Sequence, residues 1–134
     1  MMNLTYQENS QVSSKQIAAL RRSVGWNGMG SCYNNPLMTS YYHIACYDGD
    51  RLVGYVDTVS NGVTDAYIQD LMVDPAYQGK GIGTELMNRI ITKLKENKIF
   101  MISVIYGNTE LAPFYERFGF FQMLCGQMQT HETE

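Results

Sequence analysis

Little in this sequence suits a membrane, a disulfide framework or a polyanionic partner. No apolar run approaches the roughly 18 residues that a membrane-crossing helix needs. The first residues, MMNLTYQENS, have neither the basic start nor the apolar stretch of a signal peptide. Cysteine is scarce: Cys32, Cys46 and Cys125 are odd in number and scattered, with no C-x-x-C pair. That pattern indicates neither a disulfide framework nor a zinc site, so no metal is expected. Positive charge is also in short supply. Ten Lys and Arg stand against 13 Asp and Glu, a formal charge of −3, which argues against a basic nucleic-acid binder. Together these absences fit a soluble, reducing, cytoplasmic setting. What is present is an ordinary globular balance, 45% hydrophobic and 17% charged. The length suits one domain over residues 1–134.

The chain breaks into short segments of clear period. NLTYQEN reads as a first strand. SSKQIAALRRSVG reads as a helix, with Ser13 or Ser14 as N-cap, Gly25 as stop, and Ile17, Leu20 and Val24 as its buried face. Residues 25–40 are rich in glycine and polar side chains and read as a loop with room for one helical turn. YYHIACY and RLVGYVDTVS are strands joined by the hairpin signal DGD, and AYIQDLMV is a fourth strand after the turn NGV. Ile82, Leu86, Ile90 and Leu94, with Met87 and Ile91 beside them, set out an amphipathic helix over 82–97. IFMISVIY is almost continuously apolar and predicts a strand covered on both faces. NTELAPFYERFG is a short helix between Asn108 and Gly119, and FFQMLCGQMQ a last strand. The order β-α-β-β-β-α-β-α-β is that of a mixed α/β sheet with a parallel crossover through the long helix.

Gly79, Gly81 and Gly83 crowd the start of that long helix. A helix N-terminus carries unpaired N–H groups and partial positive charge, and glycine removes the side chains that would hold an anion away from them. Lys80 adds charge. Two familiar phosphate motifs fit poorly. A P-loop needs Ser or Thr after Gly-Lys, but Gly81 follows Lys80; a dinucleotide fingerprint needs its third glycine one residue later than Gly83. A turn that merely joins strand to helix is the plain alternative.

The surrounding residues carry a resemblance. IQDLMVDPAYQGKGIGTELM, then helix and strand, then NTELAPFYERFGF, resembles the GNAT superfamily of acyl-CoA-dependent N-acyltransferases over roughly residues 41–128. Gln78, Gly81 and Gly83 match the family's Gln/Arg-x-x-Gly-x-Gly/Ala element, which binds the pyrophosphate of coenzyme A; Gly79 is an extra glycine. Asn108, Tyr115, Gly119 and Phe120 match its second signature. The resemblance implies a GNAT fold and acetyl-CoA as co-substrate. Coenzyme A would then be held by Leu71, Met72 and Val73 on a splayed fourth strand, by Gln78, Gly79, Lys80, Gly81, Ile82, Gly83 and Thr84 at the helix start, and by Asn108, Phe114 and Tyr115. It also implies direct attack of an amine on the thioester, with Tyr115 protonating the leaving thiolate. Packing beside Phe114 and Phe118 is the structural alternative for Tyr115, and helix capping for Asn108.

The resemblance does not supply a base. Family members often carry Glu or His along the fourth strand. Here the equivalent inward positions are Tyr67 and Gln69, and neither is a good base near neutrality. Asp70 is ionisable, but alternation turns it to the other face unless a bulge intervenes. His43 is a further candidate, although a lone histidine is more often structural. A water held by Gln69, or an amine that binds already neutral, would also serve. The acceptor site is expected around Trp26, Tyr67 and Gln69, with Tyr33, Tyr41 and Tyr42 adding aromatic surface and Asp57 or Asp65 attracting a cation. VGWNGM resembles a subgroup of small bacterial members, and the aromatic content points to an arylalkylamine or similar small amine rather than a protein tail. A catalytically silent acyl-CoA sensor of the same fold and a mononucleotide-binding module are the competing readings. Edge pairing of the last strand would make a homodimer.

Overall fold

The computed structural model describes residues 2–133. Five strands form one sheet in the order β1-β2-β3-β4-β5. They are β1 (Leu4–Glu8), β2 (His43–Asp48), β3 (Arg51–Ser60), β4 (Asp65–Val73) and β5 (Met101–Val104). The helices are α1 (Ser14–Ser23), α2 (Gly30–Tyr33), α3 (Ile82–Glu96) and α4 (Ala112–Glu116). All neighbouring strands are antiparallel except β4 and β5, which are parallel and joined through α3.

The local signals explain these elements. The Ser13 side chain accepts from the Gln16 N–H at 3.3 Å and starts α1. Arg21 and Arg22 close the helix, where cations suit the carbonyl end. Ile17 and Leu20 are buried against Ala45, Leu52, Tyr55 and Met72 on one face of the sheet. The apolar stripe of α3 is buried against Ile44, Cys46, Val53, Val56, Ala66 and Ile68 on the other. Each such leucine or isoleucine contributes roughly 1.5–3 kcal/mol of transfer free energy. α3 also lies unusually close to β3. A Cβ added at Gly54 would sit 2.8 Å from Ile82 Cγ2, so glycine on β3 is what seats the helix start against the sheet.

Two expectations fail at the C-terminal end. β5 was expected to be covered on both faces, but it is a short edge strand whose residues alternate between exposed and half-buried. Only β4 borders it, so there is nothing to enclose its outer side. The last strand expected over FFQMLCGQMQ does not form among the described residues; 121–133 carry no strand and are exposed throughout. Its apolar side chains, Phe121, Met123, Leu124 and Met128, have no sheet face to pack on. The apolar pattern was real, but the pairing edge that a strand needs is not used.

Candidate active site

β4 and β5 stay paired only from Asp65↔Met101 to Ile68↔Val104. Beyond that point β4 runs on to Val73 without a partner on this side, and the strands part. The gap opens a cleft of about 840 Å³. Its walls are Gln69–Val73 of β4, the turn before α3, and Tyr106, Asn108, Phe114 and Tyr115 on the β5 side.

The turn is built to leave backbone bare. Asp74 closes β4: its Oδ1 accepts from the Ala76 N–H at 2.9 Å and its Oδ2 from Arg51 at 2.7 Å. Gln78 donates from its side chain back to the Val73 carbonyl at 3.0 Å. Gly79 and Gly81 then take φ values of +77° and +87°, and a Cβ on either would meet no protein atom within 4 Å. They are glycine for conformation and open approach rather than for packing. The helical ladder starts with Glu85 N–H to the Gly81 carbonyl at 3.0 Å. The N–H groups of Ile82, Gly83 and Thr84 therefore have no partner within the helix. All three line the cleft, with Gln78, Gly79 and Gly81. Lys80, expected beside them, is exposed and outside the lining, since the two left-handed glycines that flank it turn the chain outward there.

Tyr115 faces this turn across the gap. Its ring stacks on Tyr106 and meets Phe114 edge-on, with centroids 4.7 and 5.0 Å apart. Burial, then the neighbouring hydroxyls of Tyr106 and Tyr67, push its phenol above the ordinary value. The phenol therefore keeps its proton at neutral pH. Asn108 accepts from the Glu110 N–H at 2.8 Å and caps the single turn Thr109–Leu111 that leads into α4, the helix that carries Tyr115.

The other end of the cleft is lined by Arg21, Trp26, Tyr67, Gln69 and Asp70. Asp70 is on this side because of a bulge. Tyr55 pairs with Met72 and Asp57 with Gln69, so β4 holds one residue more than β3 between those pairs, and Asp70 adopts φ +58°. Simple alternation, which sends Asp70 to the α3 face, is thereby overturned. Its Oδ1 accepts from Arg21 at 2.9 Å and its Oδ2 from the Tyr33 hydroxyl. Arg21 is buried and held by Asn27, which takes Nε on its carbonyl at 2.6 Å and Nη2 on its side chain at 3.1 Å. Arg21 went unread in the sequence, although its spacing from Ile17 places it on the buried face of α1.

Other expected acceptor residues lie elsewhere. Tyr42 is in the α3-side core with its hydroxyl on Glu8, and the Tyr41 hydroxyl accepts from Asn97 at 3.1 Å. Both pack with the α3-side core, and they precede β2, so strand alternation does not set their direction. Asp65 is exposed at the start of β4. Asp57 is fully buried behind the cleft wall. Among the described residues there is no cluster of metal-binding side chains, and no helix is long and apolar enough to cross a membrane.

The geometry agrees with the comparisons. The model of the acetyltransferase (GNAT) family matches residues 16–120. A histone acetyltransferase of Glycine max is 26% identical over 129 residues, covering 87% of this chain and 55% of the plant protein. The chain thus spans about half the length of that relative. An uncharacterized N-acetyltransferase of Gracilaria tenuistipitata var. liui is 26% identical over 125 residues, 90% of this chain and 68% of its own. Among solved structures, a GNAT family acetyltransferase of Streptococcus pneumoniae superposes with TM-score 0.71 at 26% identity, over 98% of this chain and 100% of that one. A protein of unknown function from meticillin-resistant Staphylococcus aureus has the same fold, with TM-score 0.81 at 24% identity, over 98% and 100%.

Proposed function

The chain belongs to the acetyltransferase (GNAT) family, and from that premise we propose that it transfers an acetyl group from acetyl-CoA to the primary amine of a small molecule, by direct attack in a ternary complex. One observation carries the reading. The parting of β4 from β5 opens directly onto bare N–H groups at the start of α3, with Tyr115 on the opposite wall.

The residues present fit coenzyme A. Ile82, Gly83 and Thr84 offer unpaired N–H groups to its pyrophosphate, and the open sides of Gly79 and Gly81 let phosphate oxygens reach them. The free edge of β4 at Leu71, Met72 and Val73 offers backbone donors and acceptors to the amides of the pantetheine arm, as a neighbouring strand would. Tyr115 gives its proton to the departing thiolate. Gln69 and Tyr67 border the place where the amine must stand, and Gln69 orients it or a water beside it. The Trp26 and Tyr67 rings and the Asp70 carboxylate, which line the same end of the cleft, support an arylalkyl ammonium as the acceptor. The unpaired outer edge of β5 and the exposed apolar tail support association between copies; sedimentation velocity would read it.

Thermal unfolding with coenzyme A, ATP and NAD tests the cleft. A ligand at 100 times its Kd stabilises by about 2.7 kcal/mol. Coenzyme A is expected to raise the midpoint and the two nucleotides to leave it in place. An equal shift with ATP or NAD would mean a general phosphate site and would overturn the reading.

A further inference from the structure

The C-terminal tail returns to the acceptor end of the cleft. Residues 121–133 are exposed and form no strand, yet three of them meet that end. Cys125 stands near enough to Tyr67 to bear on its phenol, which burial first, then Asp70 and Cys125, push up. Gln127 lines the cleft itself. Thr133 reaches Asn27, the residue after Trp26. The Asn27 Nδ2 donates to Thr133 Oγ1 at 2.6 Å and to the Thr133 carbonyl at 3.5 Å. Between these points the tail bonds to itself: Gln129 Nε2 donates to the His131 carbonyl at 3.1 Å, and Thr130 Oγ1 lies 2.9 Å from His131 Nδ1. Trp26 and Tyr67 line the acceptor end, so a segment that runs from beside Tyr67 to Asn27 crosses it.

Asn27 ties this segment to the cleft wall. An arginine only donates, so the two atoms of Asn27 that face Arg21 are acceptors: its carbonyl, 2.6 Å from Nε, and its Oδ1, 3.1 Å from Nη2. That fixes the amide, with Oδ1 toward the guanidinium and Nδ2 left for Thr133. Arg21 in turn donates to Asp70 Oδ1 at 2.9 Å. Thr133, Asn27, Arg21 and Asp70 therefore form one unbroken run of hydrogen bonds that ends on a carboxylate of the cleft. The two ends of the run differ in firmness. Arg21 is buried, while Leu124 and Met128 of the tail stand almost wholly in solvent. A segment that buries so little opens at low cost.

Resting on the acetyl-transfer reading above, we propose that residues 125–133 are a strap over the acceptor end, which lifts to admit the amine and closes on it, with Gln127 completing the wall that touches the acceptor and Asn27 fastening the strap at Thr133. On that reading coenzyme A takes β4 and the start of α3, so the amine enters where the tail lies. Gln127 brings to the site an amide that both donates and accepts. Asn27 is a positioning residue: it meets the acceptor through Arg21 and Asp70 on one side and through the strap on the other.

The full chain carries one tryptophan, Trp26, beside the fastening. Bimane, which tryptophan quenches at short range, is attached at Glu132→Cys, next to Thr133, with Cys32 and Cys125 replaced by Ser; Cys46 is buried. The label should be quenched, and should brighten when Thr133→Val removes the hydroxyl that Asn27 holds. Equal brightness with and without that hydroxyl overturns the strap. Function is read from initial rates with 2-phenylethylamine and acetyl-CoA. Thr133→Val and Gln127→Ala should each raise the KM for the amine roughly 2- to 10-fold, the range of one net hydrogen bond. Coenzyme A affinity by calorimetry, and the unfolding midpoint, should match wild type. A wild-type KM for the amine in both variants, or an equal loss of coenzyme A affinity, overturns the strap and leaves acetyl transfer standing. A protein that passes the bimane test but acetylates no amine overturns the strap's role, and acetyl transfer with it.

Discussion

The ring of Tyr106 lies nearly parallel to that of Tyr115, 12° from coplanar with centroids 4.7 Å apart. Phe114 and Phe120 close on Tyr115 edge-on from other sides. The cage fixes the ring but leaves the residue on the cleft wall. Packing and catalysis are thus separable here. Tyr115→Phe keeps the cage and deletes only the hydroxyl. We expect kcat to fall by about 10²-fold, the low end for general acid catalysis, with the KM for acetyl-CoA little changed. An unchanged kcat under conditions where chemistry limits the rate would return Tyr115 to a packing role.

Gly83 separates phosphate approach from folding better than Gly81 does. Gly81 sits at φ +87°, so any branched side chain there strains the turn itself. The nearest atoms to a Cβ at Gly83 are Phe114 Cζ at 3.7 Å, Val73 Cγ2 at 3.8 Å and Phe114 Cε1 at 3.9 Å, ordinary contacts on the cleft wall. Gly83→Ala should therefore fold as well as wild type, or better by up to about 1 kcal/mol from helix propensity. The family element carries Gly or Ala at this position, so the affinity of Gly83→Ala for coenzyme A should stay close to that of wild type, while Gly83→Val, whose branched side chain blocks the approach, should lose on the order of tenfold, ~1.4 kcal/mol. Calorimetric titration checks this; undiminished affinity in folded Gly83→Val would mean the phosphates do not approach this residue.

Gly54 tests how closely α3 is seated. Its missing Cβ would lie 2.8 Å from Ile82 Cγ2 and 3.1 Å from Leu86 Cδ1. Gly54→Ala must push the first turn of α3 off the sheet, at a cost of about 1–3 kcal/mol. Because that turn also carries the bare N–H groups, coenzyme A binding should weaken along with stability. Urea unfolding that matches wild type would refute the close approach.

Asp57 makes stability depend on pH in an uncommon direction. Its folded value, up at about 8, lies above that of an unfolded aspartate. Between about pH 4 and 8 the folded chain therefore holds more protons than the unfolded one, and stability falls as pH rises through that window, by at most about 1.4 kcal/mol per unit. Asp57→Asn lacks this proton. Urea midpoints at pH 5 and pH 8 should show the variant gaining on wild type as pH rises. A difference that stays constant would place Asp57 in the ordinary carboxylate range.

Much of this was legible in the residues, for identifiable reasons. Helical and strand periods report burial on one face, so α1, α3 and the β2–β3 hairpin follow from Ile17, Ile82 to Leu94, and Asp48 to Asp50. The turn at Gln78–Gly83 and the caps at Ser13 and Asn108 are local, and local sequence specifies them. What failed depends on partners distant in the chain. β5 looked like an interior strand because Ile99–Tyr106 are apolar, but only neighbours decide whether an apolar strand is enclosed. The segment 120–129 has a strand's composition and no strand to join. The face of Asp70 stayed open, because it turns on a bulge, and a bulge is a property of two strands in register and not of one. Trp26, Tyr67 and Gln69, the residues expected at the acceptor site, do line the cleft; one wall residue beside them had no such signal. That residue is Arg21, whose pairing with Asp70 appears only when α1 docks beside β4.

The central claim is that this cleft joins coenzyme A chemistry to an amine. The direct measurement is mass-spectrometric counting of products from acetyl-CoA with a panel of arylalkylamines, an aminoglycoside and a histone-tail peptide, at pH 8. The account predicts equal amounts of free coenzyme A and acetylated arylalkylamine, formed faster than acetyl-CoA hydrolyses alone. Coenzyme A binding without any amine-dependent turnover would contradict it and point to a silent acyl-CoA sensor. Turnover confined to the peptide would contradict the small-molecule acceptor.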